Sequence, residues 1–576
     1  MSSKISLIFL FAAIVVQSYF GEVSARELID LNDASWKFNL GDVSGAEASS
    51  FNDNSWLDIT IPHDWQGGSD GVNEHCHSRS VGWYRGRFAV DPAQSDKKIV
   101  IEFEAAVLKA DVWVNGEYCG NHKGGYTAFS FDISSMVNFG SDNVVAVKVD
   151  NNNDSTIAPW AINPWRGWPV NFDYAVFGGI YRDVRLIISD KVRIDEVFNT
   201  TPSVSPQSAT VQVKTIASNS GATSQNVTLT TEVCDSNGTA LKTMQSSESI
   251  AAGQSYTFTQ TSDVISNPKL WSPDNPYVYK VNSTLSLDGQ EIDRVESPLG
   301  FRWYHLAAGE AFKLNGRNTF IKGVNRHQDI EGYGYAVPNE LHWQDVETMK
   351  WMGFNFVRHA HYPADQAFLD ACDRLGLMVW VEIPVGMCIS TEPEFLETSK
   401  SQLREMIRQS YNHPSVLLWG LGNESDFGPV DGLTETYMNQ FFNELNDLAH
   451  NEDPTRMTVG CRWSKNSNQN IVDLYAPQNW SGWYCCEWGQ SYTAYNPETM
   501  IGEYGSSITP WDHDEPDTAK QWSQEYACML HEWKASVGME LKDQFPGHCV
   551  WAGFDFKSPK RDDNPLPCQN QKGMFL

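Results

Sequence analysis

Two glutamates end apolar runs in this chain, Glu424 in VLLWGLGNES and Glu503 in MIGEYG, and they are the residues best placed to do chemistry. An apolar run buries a strand, and a carboxylate at its end is held rigidly where the strand meets a pocket. Two carboxyls facing each other across a cleft suit cleavage of a glycosidic bond. The leaving oxygen needs a proton, so one carboxyl must hold one near neutral pH. The other must be ionised, to attack the anomeric carbon and stabilise oxocarbenium charge. Similar run ends carry Asn325-Arg326-His327, Arg358-His359-Ala360-His361, Glu382, Asn423, Arg462-Trp463, Gln478-Asn479-Trp480 and Asp555. Singly each has a plain reading: Glu382 as a partner for Arg358, His359 as a buried histidine. Together they describe one polar pocket.

The elements that must position these residues follow from periodicity. After Leu299, apolar strands alternate with helix-period segments. Strands are expected at 319–325, 354–358, 378–382, 416–420, 457–461, 471–476, 500–503 and 549–554, and helices at 340–351, 365–375, 394–410, 435–450 and 517–536. Eight strands with helices between them point to a (β/α)8 TIM barrel over 301–576. A doubly wound sheet would want a glycine-rich phosphate turn, and the sequence has none. Function in such a barrel collects at the C-terminal strand ends, and strands four and seven lie nearly opposite. Glu424 and Glu503 should therefore point inward from opposite sides. The chain stops at Leu576, soon after strand eight, so a barrel lacking its last helix is expected. Upstream, 26–188 alternates apolar and polar residues (IVIEFEAAV, NVVAVKVD) between turns such as Asn115-Gly116, which reads as a β-sandwich. Residues 189–300 carry shorter alternating strands and read as a second, immunoglobulin-like β-sandwich.

Composition narrows the partners. With 72 acidic against 42 basic residues the net charge is −30, which repels phosphate backbones and argues against nucleic acid. Twenty-two Trp residues can fill cores, and indoles also stack on sugar faces. Residues 1–25 have Lys4, an apolar run over 5–16 and the small residues Ser24-Ala25, the pattern of a secretory signal peptide cleaved after Ala25. That run is too short to span a bilayer, so a secreted protein with no membrane part is expected. Eleven Cys leave at least one thiol unpaired within the chain, and the connectivity is unreadable. His75-Cys76-His77 lacks a second half at ligand spacing, so neither a metal nor a cofactor is expected. Glycosylation motifs occur at Asn153, Asn199, Asn226, Asn237, Asn282 and Asn479. Asn423-Glu424-Ser425 also fits the motif and is expected to stay unused.

GVNRHQD (323–329), the long stretch 354–384, NHPSVLLWGLGNES (412–425) and IGEYG (501–505) resemble glycoside hydrolase family 2. CGNHKGGYTAFSFDIS (119–134) and FDYAVFGGIYRDVRLI (172–187) resemble that family's N-terminal jelly-roll domain. The resemblance covers essentially the whole chain after residue 25. It implies a retaining mechanism with Glu424 as acid/base and Glu503 as nucleophile. Asn423 would bind the sugar 2-hydroxyl, His327 and His361 would form pocket wall, Arg358 would lie near the nucleophile, and Trp551 would stack on sugar. Asp173 matches an aspartate that β-galactosidases use on sugar hydroxyls, and FDFKSPKRDDN also resembles galactosidases, so a terminal β-galactoside is the expected substrate. Asn570-Gln571-Lys572-Gly573 fits a pattern with which β-glucuronidases grip a carboxylate, which keeps a glucuronide as the alternative. A carbohydrate-binding protein without catalysis is the alternative of another class; it would have lost one of the two carboxylates. Two departures stand out. The family tyrosine that bonds the nucleophile falls at Trp480, and strand three lacks the Glu-x-His that supplies magnesium in large bacterial galactosidases.

Overall fold

The structure, a computed structural model, describes residues 26–67, 79–160, 173–425, 434–461, 471–484, 499–561 and 564–575. The expected leader, His75-Cys76-His77, Arg462-Trp463 and Cys485-Cys486 lie outside the described residues.

The first sandwich has two antiparallel sheets. One runs Arg26–Asp30, Val184–Ser189, Lys98–Phe103, Phe129–Asp132; the other runs Leu57–Ile59, Ser35–Leu40, Val81–Ala89, Asp142–Asp150, Lys109–Val114, Glu117–Lys123. Period-two alternation sends Ile99, Ile101 and Phe103 from one sheet against Val145, Val147 and Val149 from the other. The second sandwich sets Val192–Val204, Ser208–Asn219 and Gln254–Thr261 against Ala240–Ile250, Gln225–Cys234, Tyr279–Leu287 and Gln290–Leu299. On it, Asn226 and Asn237 are exposed and Asn282 is half-buried. Asn199 is buried and donates to Ser297 Oγ at 2.9 Å.

Eight parallel strands then form the barrel: Ile321–Arg326, Phe356–His359, Met378–Glu382, Val416–Asn423, Met457–Cys461, Leu474–Tyr475, Ile501–Tyr504 and Gly547–Val550. Each pairs with its sequence neighbour except the sixth and seventh, and the eighth pairs with the first. A backbone bridge between Gln478 and Glu503 links those last two and closes the ring. Helices Asn339–Trp351, Gln366–Leu375, Pro393–Ser410, Glu435–Glu452 and Gln524–Glu540 cover its outside.

Three expectations shift. The sixth strand shrinks to two residues, because 471–473 bend outside the sheet and a lone bridge at Gln478 follows it. The eighth starts and ends earlier, because Trp551 onward turns into the mouth. The fifth helix begins at Gln524, where Ser523 Oγ accepts from the Tyr526 amide, and not near Pro516. Among the described residues no helix follows the eighth strand. Phe556–Lys557 pairs instead with Gln569–Asn570. Phe554 and Phe575, 5.0 Å apart, pack beside Phe354 on the barrel's core and cover that flank.

The first sandwich sits over the barrel mouth. Its Tyr126 stacks on Tyr362 at 4.5 Å, the Tyr335 hydroxyl donates to the Ala175 carbonyl at 2.8 Å, and Arg182 donates to the Pro363 carbonyl at 2.8 Å.

Candidate active site

The fourth strand is buried along its whole length, and Gly420 explains how it fits. A Cβ there would lie 2.2 Å from Glu382 Cβ and 2.4 Å from Trp380 Nε1. At the strand's end the backbone is pinned from both sides. The Asn423 amide donates to the Val385 carbonyl at 2.8 Å, and the Glu424 amide to the Cys461 carbonyl at 2.7 Å. Glu424 has φ of 48°, the left-handed region that a residue with a side chain occupies at a cost of about 1–2 kcal/mol. The surrounding hydrogen bonds hold it there, and its side chain lines a cavity of about 310 Å³.

Glu503 lines the same cavity from the seventh strand. Arg358 Nη1 donates to its Oε1 at 2.5 Å. The guanidinium has no exposed surface and also donates to Glu382 Oε1 and to Asn423 Oδ1, each at 2.9 Å. Its plane lies 4.3 Å over the Trp380 ring. Asn325 staples the barrel behind it, its Nδ2 donating to the Gly502 and Val550 carbonyls at 3.0 Å each. Arg358 therefore reaches no substrate; it orients the nucleophile candidate and the Asn423 amide.

The electrostatics order the two carboxyls. Burial pushes Glu503 up to about 7, with Arg358 pulling against it. The arginine alone would keep Glu503 ionised; burial outweighs it. Glu424 is pushed further, to about 8, by burial and then by the charge of Glu503, with Lys560 opposing. Glu503 thus loses its proton first and Glu424 keeps one. Burial, then the Arg358 charge, push His361 well below the usual imidazole range. Its Nδ1 lies 2.6 Å from Glu382 Oε1 and 3.2 Å from Arg358 Nη2, and its Nε2 lies 4.0 Å from Glu503 Oε1.

Of the other sequence-derived residues, Asp173, Asn423, Trp480 and Trp551 line the cavity. His327 lies behind the wall, stacked at 4.0 Å on Phe556, with Nδ1 toward the Tyr362 hydroxyl. Trp551 has one face against His361, with ring centroids 5.0 Å apart. The Trp480 indole donates to Gln478 Oε1 at 3.0 Å, not to Glu503. Asp173 accepts from Ser558 Oγ and from two guanidinium nitrogens of Arg561. Burial opposes its charge, yet Arg561 keeps its carboxyl below the usual range.

The reading missed Tyr174, Met387, Tyr484, Lys560 and Arg561 as cavity wall. Lys560 and Arg561 fall in FDFKSPKRDDN, where the adjacent pair of cations is the signal that marks them. Lys572 Nζ sits over Tyr484 at 5.1 Å and Trp483 at 5.7 Å, and burial, then Arg561, push it down to about 7.

All three parts of this assembly match family models. Residues 71–189 match the sugar binding domain of glycosyl hydrolases family 2, 192–302 match the model described as glycosyl hydrolases family 2, and 307–574 match its TIM barrel domain. The chain belongs to glycoside hydrolase family 2. It is 32% identical to a putative beta-glucuronidase of Formosa agariphila, over 99% of this chain and 71% of that one. It is 31% identical to a beta-galactosidase of Thermoanaerobacter pseudethanolicus, over 84% of this chain and 62% of that one. Among solved structures, Bacteroides uniformis beta-glucuronidase 2, covalently bound to cyclophellitol-6-carboxylate aziridine, superposes with a TM-score of 0.87 at 30% identity, covering 95% of this chain and 67% of that one. As a family 2 member the chain is a glycosidase, and the cavity with Glu424 and Glu503 is where its geometry gathers the chemistry.

Proposed function

We propose that the chain is an exo-acting, retaining β-glycosidase whose substrate is a terminal β-glucuronide. The Glu503 carboxylate attacks the anomeric carbon while the Glu424 carboxyl gives its proton to the glycosidic oxygen, and the aglycone leaves. Glu424, now ionised, takes a proton from the water that attacks the same carbon, and Glu503 departs. Exo action is supported by a cavity near the small end of ligand pockets, about 300–1,000 Å³.

The sugar is argued from charge. Asp173, on which the galactoside expectation leaned, is already bound by Arg561 and Ser558. Lys560 and Arg561 line the cavity and Lys572 adjoins its aromatic wall. A bound carboxylate would restore the full charge of Lys572. Asn570, opposite Phe556 in its two-stranded pairing, is buried with both amide atoms unpaired among the described residues. Such a group calls for a ligand or a water. The observation that carries the reading is this excess of cations beside a neutralised Asp173. A β-galactoside is the second reading, supported by relatives that carry that name at similar identity.

The test compares nitrophenyl β-glucuronide with nitrophenyl β-galactoside. A preference of about tenfold or more in kcat/KM for the glucuronide is expected, and Lys572→Met should erase it, since a charge-assisted contact is worth about 1.5–3 kcal/mol. A clear preference for the galactoside, untouched by Lys572→Met, would overturn the assignment.

A further inference from the structure

Lys534, on the helix Gln524–Glu540, has no exposed surface. Lysine is seldom fully buried, because taking an ammonium out of water is costly unless hydrogen bonds compensate. Three of them come from a single loop. Nζ donates to Asn479 Oδ1 at 2.6 Å, to Ser481 Oγ at 2.7 Å and to the Asn479 carbonyl at 3.3 Å.

That loop follows the sixth barrel strand, and it touches both catalytic candidates. The Asn479 amide donates to the carbonyl of Glu503 itself at 2.8 Å. The neighbouring Gln478 makes the bridge that closes the barrel, and its Nε2 donates to Asn423 Oδ1 at 3.3 Å. The Gln478 side chain also bonds the Glu424 carboxyl. Trp480 and Tyr484 of the same loop are cavity wall.

The contact is built for a cation. Asn479 Oδ1 gathers three donors, Lys534 Nζ, Ser481 Oγ and the Ser481 amide, while its Nδ2 has no partner among the described residues. With only two strand residues in the sixth position, the sheet itself does little to hold the loop. Gln521 Nε2 holds the far end of the loop, donating to the Trp483 carbonyl at 2.7 Å, and the Tyr526 hydroxyl donates to the Gly482 carbonyl; the ammonium is the restraint at its near end, beside Glu503.

We propose that Lys534 is a positioning residue for the hydrolysis, clamping the loop 478–484 so that Glu503 and Glu424 keep their productive placement. The inference rests on the reading of these two glutamates as the catalytic pair, and not on the choice of sugar.

The experiment uses the full chain and whichever nitrophenyl β-glycoside the wild type turns over best. Glu503→Gln is run alongside; if that variant stays active, the catalytic reading fails before Lys534 is in question. Lys534→Met should lower kcat about 100-fold, the scale of a misplacement near 1 Å, with KM moved less than about threefold. Propylammonium added to Lys534→Ala should restore at least about tenfold of the lost kcat, because it refills the deleted methylenes and the charge. A structural staple alone would respond in thermal stability and not in a selective, amine-rescued kcat. If the Lys534 variants do not fold, Asn479→Leu removes the same contact from the loop side and should lower kcat to a similar extent. A folded Lys534→Met or Asn479→Leu with kcat within about threefold of wild type, or a folded Lys534→Ala that no ammonium rescues, would overturn the proposal.

Discussion

At Glu503 two opposed effects act on one carboxyl, and burial beats the guanidinium of Arg358. The consequence is a pH profile. Attack needs Glu503 ionised, so kcat/KM should fall on the acid side below its value of about 7, roughly tenfold per pH unit. Protonation of the leaving group needs Glu424 neutral, so activity should also fall above about 8. A narrow bell between these limits is expected from assays spanning acid to alkaline buffers, with the two limbs belonging to the coupled pair. An acid limb in the ordinary carboxylate range would mean that Arg358 wins after all. Glu424, Glu503 and Asn423 were legible because each ends an apolar run. Trp480 was legible as a pocket residue and as a departure from the family's tyrosine, and its indole donates to Gln478. Lys534 was not legible. It lies inside an ordinary helix-period segment, and nothing local marks it as buried.

The fourth strand shows what an element contributes. Its glycine at 420 is a space requirement, because Glu382 and Trp380 occupy the volume that a side chain would need. Gly420→Ala should displace Glu382, loosen Arg358 and destabilise the protein by about 1–3 kcal/mol, the scale of core overpacking. Turnover should fall with it. Gly460→Ala is the control, since its nearest neighbour, Val472 Cγ2, is 3.6 Å away. Melting curves and kcat on both variants decide this; equal behaviour would remove the steric argument. Strand positions in the barrel were readable from apolar runs, because parallel strands are buried on both faces. The eighth was misplaced because its apolar and aromatic residues continue past the sheet as cavity wall, and the sixth was drawn too long because the apolar pair Ile471-Val472 bends outside the sheet. The helix at Gln524 needed its cap, Ser523, to be recognised against the competing turn at Pro516.

At the scale of the whole molecule, the order of the three parts could be read from changes in periodicity, but their contacts could not. Residues as distant as Asp173 and Arg561 share no local pattern, and only the folded chain brings them together. Arg182 is the clearest tie between the first sandwich and the barrel: it donates to the Tyr126 carbonyl at 3.1 Å and to the Pro363 carbonyl at 2.8 Å. Arg182→Met should uncouple the two, giving an extra calorimetric transition as the sandwich melts apart from the barrel. A single unchanged transition would show that the aromatic contacts around Tyr126 suffice.

The bond from Asp173 to Arg561 also sets a timetable. During synthesis the ribosome releases the sandwich long before it reaches residue 561, so the pocket wall stands half built, with a carboxylate awaiting its counter-ion. Arg561 supplies that ion much later in the chain, together with Ser558. Nascent chains halted before residue 558 should be catalytically silent, and competence should arrive once residues 558–561 have emerged and folded against Asp173.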